Sequence, residues 1–146
     1  MMFIAFKLKA KLYWMGKNTL FKKPFDRIFE WLGGIPIDRN RSNNVVEQMV
    51  AKFDTMDRLI LTIPPSGTRK RVVKWKSGFY HIAVGAKVPV VLGFIDFQKK
   101  IGGIGPAVTL TGDMEQDMIG IRAFYADIEG KNPENAILVN SEKSCF

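Results

Sequence analysis

One cysteine and one histidine are all that 146 residues contain. Cys145 stands next to the last residue, so no internal disulfide can form and a reducing compartment fits. A single His and a single Cys cannot assemble a His/Cys metal cluster. Nowhere do 18 apolar residues run together, which excludes a transmembrane helix in this stretch of chain. The opening Met1-Met2-Phe3-Ile4-Ala5-Phe6 is apolar but too short for a signal-peptide core, and lysines follow it rather than precede it. It reads as the middle of a helix whose start is absent. Internal repeats, low-complexity segments and linkers are also missing. Acidic residues have a gap of their own: residues 59–95 hold no Asp or Glu, while Arg69, Lys70, Arg71, Lys74, Lys76 and Lys87 all lie inside.

What is present is a globular composition, 47% hydrophobic and 25% charged, which excludes a disordered tail. A chain of this length is one domain's worth and buries about two-thirds of its unfolded surface. We read residues 1–146 as a single domain, with a core over 1–129 and a polar tail over 130–146. The net charge of +8 is unevenly placed. Residues 1–100 carry 19 Lys/Arg against 7 Asp/Glu, whereas residues 101–146 carry 3 against 7. A basic front with an acidic back suggests an anionic partner: a phospholipid surface, a phosphorylated small molecule or nucleic acid.

The acid-free stretch opens on the most informative motif. Leu59-Ile60-Leu61 leads into Thr62-Ile63-Pro64-Pro65-Ser66-Gly67-Thr68-Arg69-Lys70-Arg71. Amides freed by a glycine turn, a hydroxyl and fixed positive charge at a strand end suit a cluster of anionic oxygens, above all a phosphate. A solvated loop carrying a chance charge run is the competing explanation.

Along the chain, helices and strands alternate. Residues 1–11 read as a helix end and 12–15 as a short strand closed by Gly16. Pro24 suits a helix start; Phe25, Ile28, Phe29 and Leu32 make its apolar stripe, ending at Gly33-Gly34. Ile35-Pro36-Ile37 is extended, and the pair Asp38-Arg39 follows. Asn44 and Glu47 have capping-box spacing, opening a helix with Val45, Met49 and Phe53 on one face and Val46 and Val50 beside them. Residues 58–63 read as a buried strand, 76–87 as a helix, 88–97 as a second central strand with Pro89 near its start, and 106–110 as another strand. Asp113 and Gln116 cap a last helix bearing Met114, Met118, Ile121 and Tyr125, all read as core. The pattern predicts an α/β fold with a mostly parallel sheet and helices on both faces. Ligands in such sheets bind beyond the carboxyl ends of the strands. The loops after Ile37 and Ile63 meet that description and each carries arginine, so Arg39 and Arg69 are expected to form a bidentate phosphate clamp.

Taken in order, Gly33-Gly34-Ile35-Pro36-Ile37-Asp38-Arg39, then Pro65-Ser66-Gly67-Thr68-Arg69, then Val88-Pro89-Val90-Val91 resembles the motif set of the glycerolipid acyltransferases, the lysophosphatidic acid acyltransferase superfamily. Trp75-Lys76-Ser77-Gly78-Phe79-Tyr80-His81-Ile82-Ala83 and Ile95-Asp96-Phe97 are similar to a small bacterial branch of it. The likeness runs from about Trp14 to Pro106. It implies a glycerol-3-phosphate acyltransferase-like fold and transfer of a fatty acyl group from acyl-CoA or acyl carrier protein, as co-substrate, to the hydroxyl of a lysophospholipid or glycerol-phosphate-like acceptor. It implies no bound cofactor or metal and no nucleic-acid partner, and it places the protein at an anionic membrane surface, peripheral on the cytoplasmic face. By the same resemblance Arg39 and Arg69 match phosphate-binding arginines. Gly67 and Thr68 match the loop that holds the acceptor, Ser66 is placed with them at the phosphate by its position in that loop, and Pro89 matches the acyl-donor side.

Two departures stand out. The family's His-x4-Asp pair, in which histidine takes the acceptor proton and aspartate steadies it, is absent. In the family it precedes the segment resembling residues 5–17, so it falls before Met1, and the chain reads as truncated at its N-terminus. General base catalysis contributes about 10²–10⁴-fold, so the chain alone is expected to have little or no transferase activity. A non-catalytic phosphate or phospholipid binder on the same fold is the alternative. The lone His81 has Ala86 where the aspartate belongs and reads as a packed structural residue. The second departure is Ser66, where the family usually has glutamate. Elsewhere, Gly102-Gly103-Ile104-Gly105-Pro106 lacks the lysine of a phosphate loop and reads as a turn. Trp14, Trp31 and Trp75 read as bilayer-dipping residues or as core. Phe25 and Phe29 are assigned to core, Phe21-Lys22-Lys23-Pro24 is left open between core and bilayer, and Asp96 is left open between a rim hydrogen bond and a structural role. A nucleic-acid binder driven by the basic front is the third reading, against which stands the clustering of cations in loops rather than along one helix.

Overall fold

The computed structural model describes residues 11–37, 42–67 and 74–132, and of residues 42–44 the backbone alone. The chain divides into two compact units, residues 1–63 and 64–146.

In the first unit, β1 (Leu12–Lys17) is the middle strand of a parallel three-stranded sheet, flanked by β2 (Gly34–Ile37) and β3 (Ile60–Thr62). A 3-10 turn (Asn18–Leu20) and a short helix, α1 (Asp26–Trp31), connect β1 to β2; a longer helix, α2 (Ser42–Thr55), connects β2 to β3. Parallel neighbours need such crossovers because a tight turn reverses chain direction. Trp14 stands opposite Gly34 on one side and Thr62 on the other. Gly33 closes α1 at φ +83°, and a Cβ there would meet the carbonyl oxygen of Leu12. Only glycine supports both the left-handed backbone and that approach. Ile35 and Ile37 of β2 and Met49 of α2 are buried.

Gly16 and Gly34 make room for an aromatic cluster on this sheet. A Cβ on Gly16 would stand 2.7 Å from the Phe21 ring and one on Gly34 2.8 Å from it. Phe21 lies 6.1 Å from Trp14 and 5.9 Å from Phe29, centroid to centroid, the latter edge to face. Phe21, left open by the sequence, therefore packs on the sheet, as does Phe29. Phe25 does not: it is 57% exposed, which corrects its assignment to the core. Phe29 packs against Phe21 and Trp14, whereas Phe25, Ile28, Trp31 and Leu32 are exposed.

In the second unit, α3 (Gly78–Gly85) precedes β4 (Val90–Asp96), which pairs antiparallel with β5 (Ile101–Val108), and α4 (Met114–Tyr125) follows. Leu92 of β4 and Met118 and Ile121 of α4 form the buried centre, with Trp75, Phe79, Val108, Met114 and Phe124 around it. The Asp113 carboxylate caps α4 by accepting from the Gln116 N–H at 3.2 Å, as the spacing of the two residues predicts.

The α/β class and the parallel sheet agree with expectation, and four local readings need correction. The strand expected over 58–63 is only three residues long, and Ile60 is 49% exposed because β3 has a described neighbour on one side alone. The strand expected over 88–97 lies in an antiparallel hairpin rather than the parallel sheet. The tight turn over 97–100 permits no other direction. The glycine-rich segment at 102–106 is part of β5, not a turn. There the glycines admit rings: Phe94 lies over Gly103, and Phe124 over Gly105. Finally, α2 begins at Ser42, so Asn44 is inside the helix rather than its cap. Of the helix end expected over 1–11, residues 1–10 lie outside the described residues and Lys11 is not helical.

Candidate functional site

The Pro64–Gly67 segment forms a tight turn at the start of the second unit. The Gly67 N–H donates to the Pro64 carbonyl at 3.1 Å, and Gly67 adopts φ +63°. Two prolines restrict the entry and a glycine supplies the left-handed exit. Ser66 is half-buried and Gly67 exposed. The next residues expected at the site, Thr68 and Arg69, lie outside the described residues, and so does Arg39.

The turn is braced by Lys76, which the sequence presents as one of six cations in the acid-free stretch and as part of the Trp75–Ala83 segment, with no site role assigned to it. The Lys76 N–H donates to the Pro65 carbonyl at 2.9 Å. The Lys76 side chain then runs along Gly67: a Cβ built on Gly67 would lie 3.2 Å from both Cδ and Cε of Lys76 and 3.3 Å from Nζ. Nothing in the spacing of residues 67 and 76 announces this contact. The glycine is its one sequence signal, since a side chain at 67 would displace the lysine.

In the first unit, the parallel directions of β2 and β3 bring their carboxyl ends to the same edge of the sheet.

Other residues singled out from the sequence are also accounted for. Pro89 is exposed and immediately precedes β4. His81 is exposed on α3, its ring edge-on to Tyr80 at 6.0 Å, which corrects the expectation of a packed histidine. The helix buries Tyr80, Ile82 and Ala83 and turns residue 81 outward. Trp75 packs edge to face on Tyr125 at 5.7 Å and belongs to the core. Asp96 is buried at the end of β4, accepts from the Lys99 N–H at 2.9 Å and pairs with the Lys99 ammonium at 3.3 Å. The Lys99 backbone bond, with the ammonium behind it, holds the Asp96 carboxyl below the usual carboxylate range despite burial. Its role is to lock the hairpin turn.

A polar cluster missed in the sequence joins α3 to α4. The Asp117 carboxylate accepts from the Tyr80 hydroxyl and the Thr111 N–H, both at 2.8 Å, and from the Thr111 hydroxyl at 3.0 Å. Thr111 is six positions from Asp117 but Tyr80 is 37, so no local spacing reveals the whole group.

The acyltransferase family model matches residues 1–92, which covers the first unit and, in the second, the Pro64–Gly67 turn, Lys76, α3 and Pro89. Neither the curated proteins nor the solved structures contain a match to this chain.

Proposed function

The chain belongs to the acyltransferase family, and from that premise we propose that it binds a lysophospholipid or glycerol-phosphate-like acceptor for acyl transfer from acyl-CoA or acyl carrier protein. The observation that supports this reading is the Pro64–Gly67 turn, hydrogen-bonded, closed by a left-handed glycine and followed in sequence by Thr68 and Arg69, inside the matched region. Arg39, Ser66, Gly67, Thr68 and Arg69 are assigned to the acceptor's phosphate, where guanidinium groups give bidentate, charge-assisted bonds. Pro89 is assigned to the donor side.

In the reaction the acceptor hydroxyl oxygen bonds to the thioester carbonyl carbon, the carbon–sulfur bond breaks, and the hydroxyl proton must pass to a base. The 146 residues contain no His-x4-Asp to take it, and His81 is exposed with Ala86 five positions on. The chain by itself is therefore assigned the binding half of the reaction, with transfer near the uncatalysed rate. That same absence favours a second reading, a phosphate or phospholipid binder without catalysis. The exposed Phe25, Ile28, Trp31 and Leu32 of the α1 region, beside Lys22, Lys23 and Arg27, support peripheral contact with an anionic bilayer. Among the described residues no helix is long and apolar enough to cross a membrane.

Calorimetric titration with glycerol 3-phosphate, using glycerol as control, tests the binding assignment. Arg39→Ala and Arg69→Ala are each expected to weaken binding about tenfold, the scale of one charge-assisted contact. Unchanged affinity in the double variant would remove the basis of the assignment. Acyl release from acyl-CoA in the presence of lysophosphatidic acid tests the rest: turnover well above background would show that the chain has a base we have not identified.

A further inference from the structure

Lys76 is exposed, yet it does not extend into water as surface lysines commonly do. Its backbone is fastened to the turn by the 2.9 Å bond to Pro65, and three consecutive side-chain atoms, Cδ, Cε and Nζ, lie level along Gly67. Among the described residues no carboxylate pairs with it, and the sequence supplies none between residues 59 and 95. An ammonium that lies over a glycine turn, with no carboxylate partner among the described residues and its backbone fastened to that turn, is arranged to meet an anion arriving there. Gly67 is what permits the arrangement. It combines a left-handed φ with the absence of a Cβ that would press on the lysine.

We infer that Lys76 is a binding residue for the acceptor's phosphate monoester and a determinant of selectivity for phosphorylated over unphosphorylated acceptors. The inference rests on the assignment of the Pro64–Gly67 turn to the acceptor. A lysine provides a compact point charge with three donors, so it favours a doubly charged phosphate group over a neutral hydroxyl without demanding one orientation. The aliphatic part of the side chain covers the turn, and the ammonium reads the charge.

The test is glycerol 3-phosphate binding by calorimetry to the 146-residue chain and to Lys76→Gln, Lys76→Arg and Arg69→Ala, with thermal melts to verify folding. Lys76→Gln keeps most of the aliphatic cover and is expected to lose about tenfold in affinity, while Lys76→Arg stays within about threefold of the parent. Glycerol affinity should be the same in all four proteins. If Arg69→Ala weakens binding and Lys76→Gln does not, the lysine inference is overturned and the acceptor assignment stands. If the parent does not bind glycerol 3-phosphate and does not bind lysophosphatidic acid in neutral detergent micelles, the acceptor assignment is overturned and the inference falls with it. A Lys76→Gln loss seen with both ligands supports a contact to the phosphate wherever it is carried. A loss confined to the micelles supports a contact to a lipid head group.

Discussion

The Tyr80 hydroxyl donates a 2.8 Å hydrogen bond to Oδ2 of Asp117, joining α3 to the first turns of α4. Thr111 donates twice to the same carboxylate. Burial pulls the Asp117 carboxyl upward, but the bonds from Tyr80 and Thr111 outweigh it and hold it below the ordinary carboxylate value. Asp96 is lowered as well, chiefly by the Lys99 N–H. A carboxyl whose folded pKa is depressed stabilises the fold above its unfolded pKa, and that stability is lost as pH falls through the folded value. Urea midpoints should therefore be level between pH 6 and 8 and fall below about pH 4. Asp117→Asn should lower the midpoint at neutral pH and make the acid limb shallower, because one of the two carboxyls held low by these bonds is gone. An acid limb as steep as the parent's would show that Asp117 does not contribute. Tyr80 is raised, first by burial and then by Asp117, so its contribution is complete below about pH 10 and disappears only above it.

Phe124 rests directly on the α-carbon of Gly105. A Cβ there would meet Cζ of the ring, stand 2.6 Å from Cε2 and come within 3.0 Å of the Leu92 carbonyl. Phe124 is itself wedged between Phe94 and Tyr125, at 5.9 and 5.0 Å, so it has little room to retreat. Gly105→Ala is expected to destabilise by about 1–3 kcal/mol, the range for overpacking. Gly93→Ala is its control, since nothing lies within 4 Å of the added Cβ and a strand gains slightly from losing a glycine. Equal melting temperatures for the two variants would contradict the packing argument.

The contrast between these glycines shows where the sequence is readable. Local signals survived: the Asp113–Gln116 cap, the apolar face of α2 and the glycine stop after α1 each depend on residues a few positions apart. The parallel sheet followed from the alternation of helices and strands. Apart from the Asn44 cap, which lies two residues inside its helix, what failed was largely non-local. Gly102 to Pro106 looks like a turn until Phe94 and Phe124 are seen to need its missing side chains. Phe25 and Phe29 look alike in composition, and only the aromatic cluster on the sheet separates the half-buried ring from the exposed one. At the candidate site the turn was legible from Pro-Pro-Ser-Gly, but Lys76 over Gly67 was not, because the eight residues of intervening chain carry no periodic signal.

Lys87 ends α3 in a conformation that lysine does not favour. Its φ is +54°, the Val88 N–H returns to the Ala83 carbonyl at 3.0 Å, and the Lys87 N–H reaches Val84 at 3.2 Å. This is the paired bonding of a left-handed helix terminus, normally occupied by glycine. Lys87→Gly should therefore stabilise the chain by about 0.5–1 kcal/mol, as relief of the left-handed strain on a side chain exceeds the added flexibility of the unfolded state. A lower melting temperature in this variant would mean that the lysine makes a compensating interaction.

Trp31 is 77% exposed, with Phe25 and Ile28 both more than half exposed on the same arc of α1. Such a surface is unfavourable in water and has a ready acceptor in the interfacial zone of a bilayer, where Lys22, Lys23 and Arg27 would meet anionic head groups. The apolar and electrostatic contributions separate experimentally. Trp31→Ser is expected to reduce partition onto vesicles about tenfold at any salt concentration, because its loss is one of buried apolar area. The double variant Lys22→Gln/Lys23→Gln should match the parent on neutral vesicles. On vesicles rich in anionic lipid it should bind roughly tenfold or more weakly at low salt, the difference closing as salt screens the surface. Sedimentation of sucrose-loaded vesicles measures all four conditions. If Trp31→Ser partitions as the parent does, this arc of α1 is not the membrane face, whatever the lysines do.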